Sequence, residues 1–276
     1  MKRLVSVCLL LVLLCSGCRA KKEDGTRVYF LDVGQGDCTL FRTGGGDVLL
    51  DAGPEAAQET LCRKLRSMGV REIALLVLSH SDEDHVGGAD AVLEAFPTGA
   101  ILTNGATDGT ESNDRLLATA ARLEISVQTA AAGEQFRFGE VLFTVLSPAE
   151  GADLSAGNDA SLVLCAQIGE ISVLMMGDAG TATEDDLLAR YGAAQLRATV
   201  LHAGHHGANT SSSSAFLAAV APAWVVISCG TGNLYGHPDG RALARLRETG
   251  AGILRTDQSG DLTMTTDGTD LSFRNQ

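Results

Sequence analysis

The stretch from Leu76 to Asp90 reads LVLSHSDEDHVGGAD. It sets His80, Asp82, Asp84 and His85 within six positions, straight after an apolar run over residues 73–78. Carboxylates crowded this closely repel one another unless a cation sits among them. Imidazole and carboxylate together suit divalent zinc, manganese or iron rather than soft, thiolate-seeking copper. A plainer reading makes Ser81 or Asp82 a helix cap, with Glu83 and Asp84 favouring the helix dipole. That accounts for the acids and leaves both histidines unexplained.

Three later stretches favour the metal. Asp178 follows the apolar run 171–176, His205 and His206 follow a short strand in LHAGHHGANTSSSS, and His237 stands in LYGHP after another. Five of the six histidines thus fall in strand-end loops, where a rigid scaffold presents its chemistry. His202, inside a strand, reads as structural. The run Asn209, Thr210, Ser211 and Ser212, continuing to Ser214, opens a predicted helix. Its hydroxyls and amides offer either a phosphate cradle or an N-cap with a flexible loop. Asp32, Asp37 and Asp51 read as turn residues supporting the His80–His85 loop.

The elements that must position these groups follow from periodicity. Strand patterns occur at 28–33, 38–42, 48–51, 73–78, 100–103, 125–129, 141–146, 160–168 and 171–176, then at 199–202, 224–228, 252–255, 261–265 and 271–273. Helix periods occur at 55–68, 88–96, 114–123, 183–191, 212–220 and 238–249. Hairpins at both ends with strand–helix alternation between them predict two mixed sheets carrying helices outside, in one α/β domain.

Composition sets the outer bounds. The 276 residues are 45% hydrophobic and 20% charged, which is globular. A formal charge of −13 excludes broad electrostatic binding to a polyanion, and an aromatic content of 4% offers no stacking ladder. The first 18 residues, MKRLVSVCLLLVLLCSGC, carry two basic residues, an apolar run to Leu14, then small residues. The run is shorter than the ~20 residues of a membrane span. It resembles a bacterial lipoprotein signal, with Cys18 lipidated as the mature N-terminus. Loss of Lys2 and Arg3 would deepen the charge to −15. Cys38, Cys62, Cys165 and Cys229 form no C-x-x-C pair, which excludes a thiolate zinc site and a dense disulfide framework and leaves one disulfide open.

His80-Ser-Asp-Glu-Asp-His85 followed by Val86-Gly87-Gly88 resembles the H-x-[HD]-x-D-H signature of the metallo-β-lactamase superfamily. FLDVGQGD (30–37), LLDAG (49–53), NDASLVL (158–164), MGDA, GHHGANTSSS and YGHP are similar to one branch of it. That branch is the soluble β-lactamase-like domain of the ComEC family, DNA-uptake channel proteins of competent bacteria, and the likeness runs from about residue 28 to 265. No other stretch reads as a membrane span, so the expectation is the hydrolase-like domain alone on a lipid anchor. The expected layout is a signal with its anchor cysteine over 1–18, a polar tether over 19–27 and the hydrolase domain over 28–276.

The resemblance implies a four-layer αβ/βα sandwich with one or two divalent ions, zinc or manganese, at the top edge of the sheets. It implies His80 and Asp82 at one ion, Asp84 and His85 at the other, Asp178 bridging, and His205 completing the second site. Asp82 stands where many members carry histidine, and a further histidine has no counterpart, its region here being Asn158, Asp159, Ala160 and Ser161. Both departures predict weak or single occupancy of the first site and a lean towards Mn²⁺. An ion-bound water then supplies the nucleophile, oriented by Asp84, while His206 or His237 serves the developing oxyanion or the leaving oxygen. The expected function is an exported, membrane-tethered hydrolase of phosphodiesters, a nuclease related to DNA uptake among them. Its place is the extracytoplasmic face of a bacterial membrane, as a monomer, with no protein partner legible. The alternatives are a phosphocholine esterase or lactonase-like hydrolase of envelope or small molecules, and a degenerate binding protein.

Overall fold

Apolar runs without alternation bury both faces of a strand, and this chain has several. The computed structural model describes residues 25–106 and 109–275; the expected signal and Cys18 lie outside them. The first half runs β1 (Thr26–Phe30), β2 (Thr39–Thr43), β3 (Gly46–Leu50), α1 (Gln58–Ser67), β4 (Leu75–Val77), α2 (Glu83–Val86), α3 (Ala89–Ala95), β5 (Ala100–Thr103), α4 (Glu111–Arg122) and β6 (Ser126–Thr129). A hairpin of β7 (Gln135–Phe138) and β8 (Val141–Ser147) leads to β9 (Val163–Ile168), β10 (Ile171–Met175), α5 (Thr181–Leu196), β11 (Val200–His202) and α6 (Ser214–Val220). The chain closes with β12 (Trp224–Ile227), α7 (Gly240–Glu248), β13 (Gly252–Arg255), α8 (Thr256–Ser259), β14 (Leu262–Thr266) and β15 (Leu271–Asn275).

Two mixed sheets result, ordered β15-β14-β1-β2-β3-β4-β5-β6 and β13-β12-β11-β10-β9-β8-β7. In the first, β15 to β3 pair antiparallel and β3 to β6 parallel. In the second, β7 to β10 are antiparallel and β10 to β13 parallel. Successive residues divide between two cores, as the two-residue strand period demands. Val28, Phe30, Val77, Val173, Met175, Val200 and Val226 fill the space between the sheets. Tyr29, Leu31, Leu76 and Leu78 face α1, α3 and α4 instead. Leu174, Met176, Leu201, Val225 and Ile227 face α5, α6 and α7. The architecture is the expected four-layer sandwich.

Local departures have physical reasons. β7 escaped the sequence reading because its four residues alternate Gln135 and Arg137, both exposed, with half-buried Phe136 and Phe138. A separate one-turn helix, α2, carries Asp84 and His85 ahead of α3, the pair Gly87 and Gly88 dividing them. Cys38, Cys62, Cys165 and Cys229 are all free. Burial pushes the Cys165 thiol up to about 11 and Cys229 to about 12, so both are inert core groups.

Candidate metal centre

The parallel strands β4, β10, β11 and β12 end on one edge of the sandwich, where each sheet changes from antiparallel to parallel pairing. Loops at the carboxyl ends of strands beside such a change are where α/β sheets bind ligands. Beyond β4, Ser79 is anchored to Asp51, its amide on Oδ1 at 2.7 Å and its hydroxyl on Oδ2 at 2.8 Å. That clamp fixes the exit towards His80. Asp82 then occupies the N-cap position of α2 but makes no capping hydrogen bond. Its carboxylate lies 3.6 Å from His80 Nε2, so the capping explanation of the acids fails here.

The single turn of α2 is pinned by backbone bonds, Asp37 N to Asp84 O at 3.1 Å and Ala52 N to His85 O at 2.7 Å. Gly36 permits that approach, because a Cβ there would meet Asp84 O at 2.3 Å. His85 is fully buried as a result. Across the cleft, Asp178 follows β10 and is also buried. After β11, His205 and His206 adopt successive left-handed conformations, φ 51° and 53°. Non-glycine residues reach that region at a cost of roughly 1–3 kcal/mol each, and such strain gathers at functional sites.

This backbone aims the two imidazoles at different oxygens of one carboxylate. His206 Nε2 lies 3.6 Å from Asp178 Oδ1 and 3.1 Å from Asp84 Oδ2, while His85 Nε2 is 3.1 Å from Asp178 Oδ1. On the other side, His205 Nε2 is 3.6 Å and His80 Nε2 4.0 Å from Asp178 Oδ2. His85 and His206 therefore face one oxygen of Asp178, with Asp84 against His206, and His80 and His205 face the other, with Asp82 against His80. The expected His205 in the set of Asp84 and His85 is replaced by His206, because the second left-handed residue points deeper. His205 instead stands on the His80 side, with the Asn158 amide 3.2 Å from its Nε2.

Supports stand behind these groups. Asp51 Oδ2 accepts from His85 Nδ1 at 2.9 Å. His206 Nδ1 donates to Ser228 O at 3.0 Å, with Asp37 Oδ1 at 3.2 Å. Asp37, His85, Asp178 and His206 are all buried and bring one ligand atom each within 4.8 Å of one another. Asp37 backs His206 from its Nδ1 side, the carboxylate–histidine arrangement that fixes a ring tautomer. His202, whose Nε2 bonds Ser228 Oγ at 2.8 Å and whose Nδ1 lies 3.6 Å from Asp37, belongs to this layer.

Electrostatics make the site one for a cation. Burial opposes charge on His85 and on His206, yet Asp178 with Asp51, and Asp178 with Asp37, hold both imidazoles well above their ordinary range. Burial likewise opposes ionisation of Asp178, and His85 and His206 overcome it, leaving the carboxyl well below its ordinary value. The hydrogen bond from His80 lowers Asp82, and His206 outweighs burial to lower Asp84. Meanwhile His80 Nε2, His85 Nε2, Asp37 Oδ1 and Asp178 Oδ1 are buried without an aligned hydrogen bond. Three of these, His80 Nε2, His85 Nε2 and Asp178 Oδ1, fit a divalent ion, while Asp37 Oδ1 is turned to His206 Nδ1.

The remaining expected residues divide. His237 sits at the rim, its ring 5.4 Å from His205 and 6.3 Å from His206, and burial, together with these neighbouring rings, lowers its pKa. Thr210 Oγ1 lies 3.4 Å from His205 Nδ1, and Asn209 is exposed beside it. Ser211 and Ser212 do not form a phosphate cradle. Glu184 already binds the amides of Ser212 and Ser213, Ser211 Oγ bonds Gly204 O at 2.7 Å, and Arg245 holds the carbonyls of Asn209, Ser211 and Ser212. These donors and acceptors are spent inside the fold.

Comparison with known proteins places this arrangement. Residues 31–230 match the metallo-beta-lactamase superfamily. The chain is similar to competence protein ComA of Neisseria gonorrhoeae, 37% identical over 88% of this chain and 33% of that protein. It is similar to ComE operon protein 3 of Bacillus subtilis, 27% identical over 85% of this chain and 32% of that protein. It thus spans about a third of the length of these curated relatives. Two solved structures share the fold. CmlA, a diiron beta-hydroxylase from Streptomyces venezuelae, has a TM-score of 0.58 at 13% identity, covering 90% of this chain and 55% of that one. YhfI, a metallo-beta-lactamase fold protein from Bacillus subtilis, has 0.56 at 12%, covering 91% and 100%.

Proposed function

The chain belongs to the metallo-beta-lactamase superfamily, and from that premise we propose that it hydrolyses phosphodiesters at the outer face of a bacterial membrane. The fold and the buried His/Asp group support a metal-dependent hydrolase. The observation that carries the reading further is Asp178, whose two oxygens serve two histidine–carboxylate sets. Zinc or manganese fits either set. When bound, such an ion supplies a Lewis acid and a water of lowered pKa.

The residues of the chain do the rest. Asp178, Asp84, Asp82 and three imidazoles of the buried cleft, His80, His85 and His206, would hold the ions, with His205 at the cleft's open side. Asp51 and Asp37 keep His85 and His206 in the tautomer that presents Nε2 to the cleft. This moves His206 from proton donor to the ligand set. His237 remains as the group free to serve the substrate. Its lowered pKa keeps it neutral near pH 7, so its role is hydrogen-bond donation to a developing oxyanion rather than proton delivery. A substrate bearing its own negative charge would suit a cleft whose carboxylates and imidazoles hold divalent ions.

The competence names of ComA and ComE operon protein 3 support a nucleic-acid diester. Cys18 would tether the enzyme through a lipid. The test is hydrolysis of bis(p-nitrophenyl) phosphate by purified protein loaded with Mn²⁺ or Zn²⁺. Turnover of lactones or phosphocholine esters with no diester cleavage would replace this reading.

A further inference from the structure

The loop between β12 and α7 carries two large apolar side chains in solvent, Leu234 fully exposed and Tyr235 72% exposed. Every other aromatic side chain among the described residues is buried or half-buried. A chain so poor in aromatics therefore leaves one in water, and it does so at the rim of the metal centre. The Tyr235 ring lies against His237, centroids 5.8 Å apart and planes at 25°. The His237 ring in turn meets His205 at 5.4 Å. Moving outward from the cleft, one passes imidazole, imidazole and phenol before reaching solvent.

The loop is braced. Asn233 Nδ2 donates to Gly230 O at 2.9 Å and to His237 O at 2.5 Å, while its Oδ1 accepts from His237 N at 3.0 Å. Asp239 N bonds Gly207 O at 3.0 Å, tying the loop's end to the histidine turn. Gly232 and Gly236, at φ 66° and 73°, flank the apolar tip in conformations that other residues rarely adopt. An apolar tip held out by such a latch is pre-organised for a ligand.

We propose that Tyr235, flanked by Leu234, is a stacking platform for the nucleobase attached to the scissile phosphate, so that the substrate is single-stranded nucleic acid or a nucleotide diester. This rests on the phosphodiester reading above. The formal charge of −13 withholds the electrostatic attraction that most nucleic-acid enzymes use. Stacking needs no charge and accepts any base, because every base has a π-face. Bases within a duplex already stack on one another, which favours an unpaired strand.

The experiment compares two substrates of the metal-loaded protein, the p-nitrophenyl ester of thymidine 5′-monophosphate and the base-free methyl p-nitrophenyl phosphate. Tyr235→Ala should lower the ratio of their kcat/KM values about tenfold, ~1.4 kcal/mol, chiefly through KM, and Tyr235→Trp should keep it. Equal loss on both substrates would mean that the ring only positions His237, and the proposal falls. Should wild-type protein turn over neither, the phosphodiester reading fails, and binding of a labelled oligothymidylate decides the platform separately. Weaker binding by Tyr235→Ala upholds the platform, and unchanged binding discards it. Sedimentation with phosphatidylglycerol–phosphatidylethanolamine vesicles covers the remaining case. Vesicle binding lost in Tyr235→Ala while the substrate ratio stays fixed would assign the tip to a lipid surface and overturn the proposal.

Discussion

A single carboxylate, Asp178, governs the centre, because each of its oxygens faces a different pair of imidazoles. Asp178→Ala should therefore empty both positions, whereas Asp82→Ala should empty only the one it shares with His80 and His205. Metal analysis after dialysis reads the difference, and two equivalents retained by Asp178→Ala would refute the arrangement. Protons compete for the same groups. Without metal, His85 and His206 have folded pKa values raised far above the ordinary imidazole value of about 6.5. Their contribution to stability is complete below about pH 6.5 and fades as pH rises through the folded values, because the native state then binds more protons than the unfolded one. Asp178, lowered, contributes above about pH 3.8 and loses that contribution in acid. Metal must displace the imidazole protons, so its affinity should rise with pH over the range where the metal-free protein weakens. Melting temperatures of chelated and metal-loaded protein from about pH 5 to 9 should diverge; a chelated form that stabilises above neutrality would contradict the assignment. Much of this was legible, since His80, Asp82, Asp84 and His85 crowd six positions after an apolar strand. Which of His205 and His206 faces which set was not, because it turns on two left-handed residues that no local pattern encodes.

Among the elements, α2 has the least margin, being one turn long and clamped between the loops after β1 and β3. Its backbone contact with Gly36 cannot relax, since the obstacle to a Cβ there is the Asp84 carbonyl. Gly36→Ala should cost roughly 1–3 kcal/mol and weaken metal binding as well, by shifting Asp84 and His85 together. Gly240→Ala, which meets nothing within 4 Å, is the matched control. Denaturant melts and a metal-competition titration would test the pair, and an undisturbed metal affinity in Gly36→Ala would refute the clamp. The places of the strands along the chain, β7 apart, followed from apolar runs and hairpin signals, because those are local. The fate of Ser211 and Ser212 did not, because their partners Glu184 and Arg245 lie about 30 residues away on α5 and α7.

For the molecule as a whole, acidity sets the terms on which it meets a charged partner. An enzyme with a charge near −13 is repelled by a long polyanion, yet exposed charges are screened beyond roughly 8 Å at physiological salt. If Cys18 carries lipid, Cys18→Ala should release the protein from the membrane fraction, read by fractionation and mass spectrometry; wild-type protein found soluble with an unmodified thiol would exclude the anchor. The two left-handed histidines bear on how such a protein changes over generations. Glycine occupies that conformation at no steric cost, so His205→Gly, at the half-buried first position, relaxes the backbone of the metal-free chain while deleting a donor. His206→Gly would instead strip buried Asp178 and Asp37 of their partner. Selection for heat resistance in a chelating medium would reward the first substitution and not the second, and lineages bred that way would drift into robust descendants with a weakened centre. Keeping His205 requires that selection act on the metal-loaded protein.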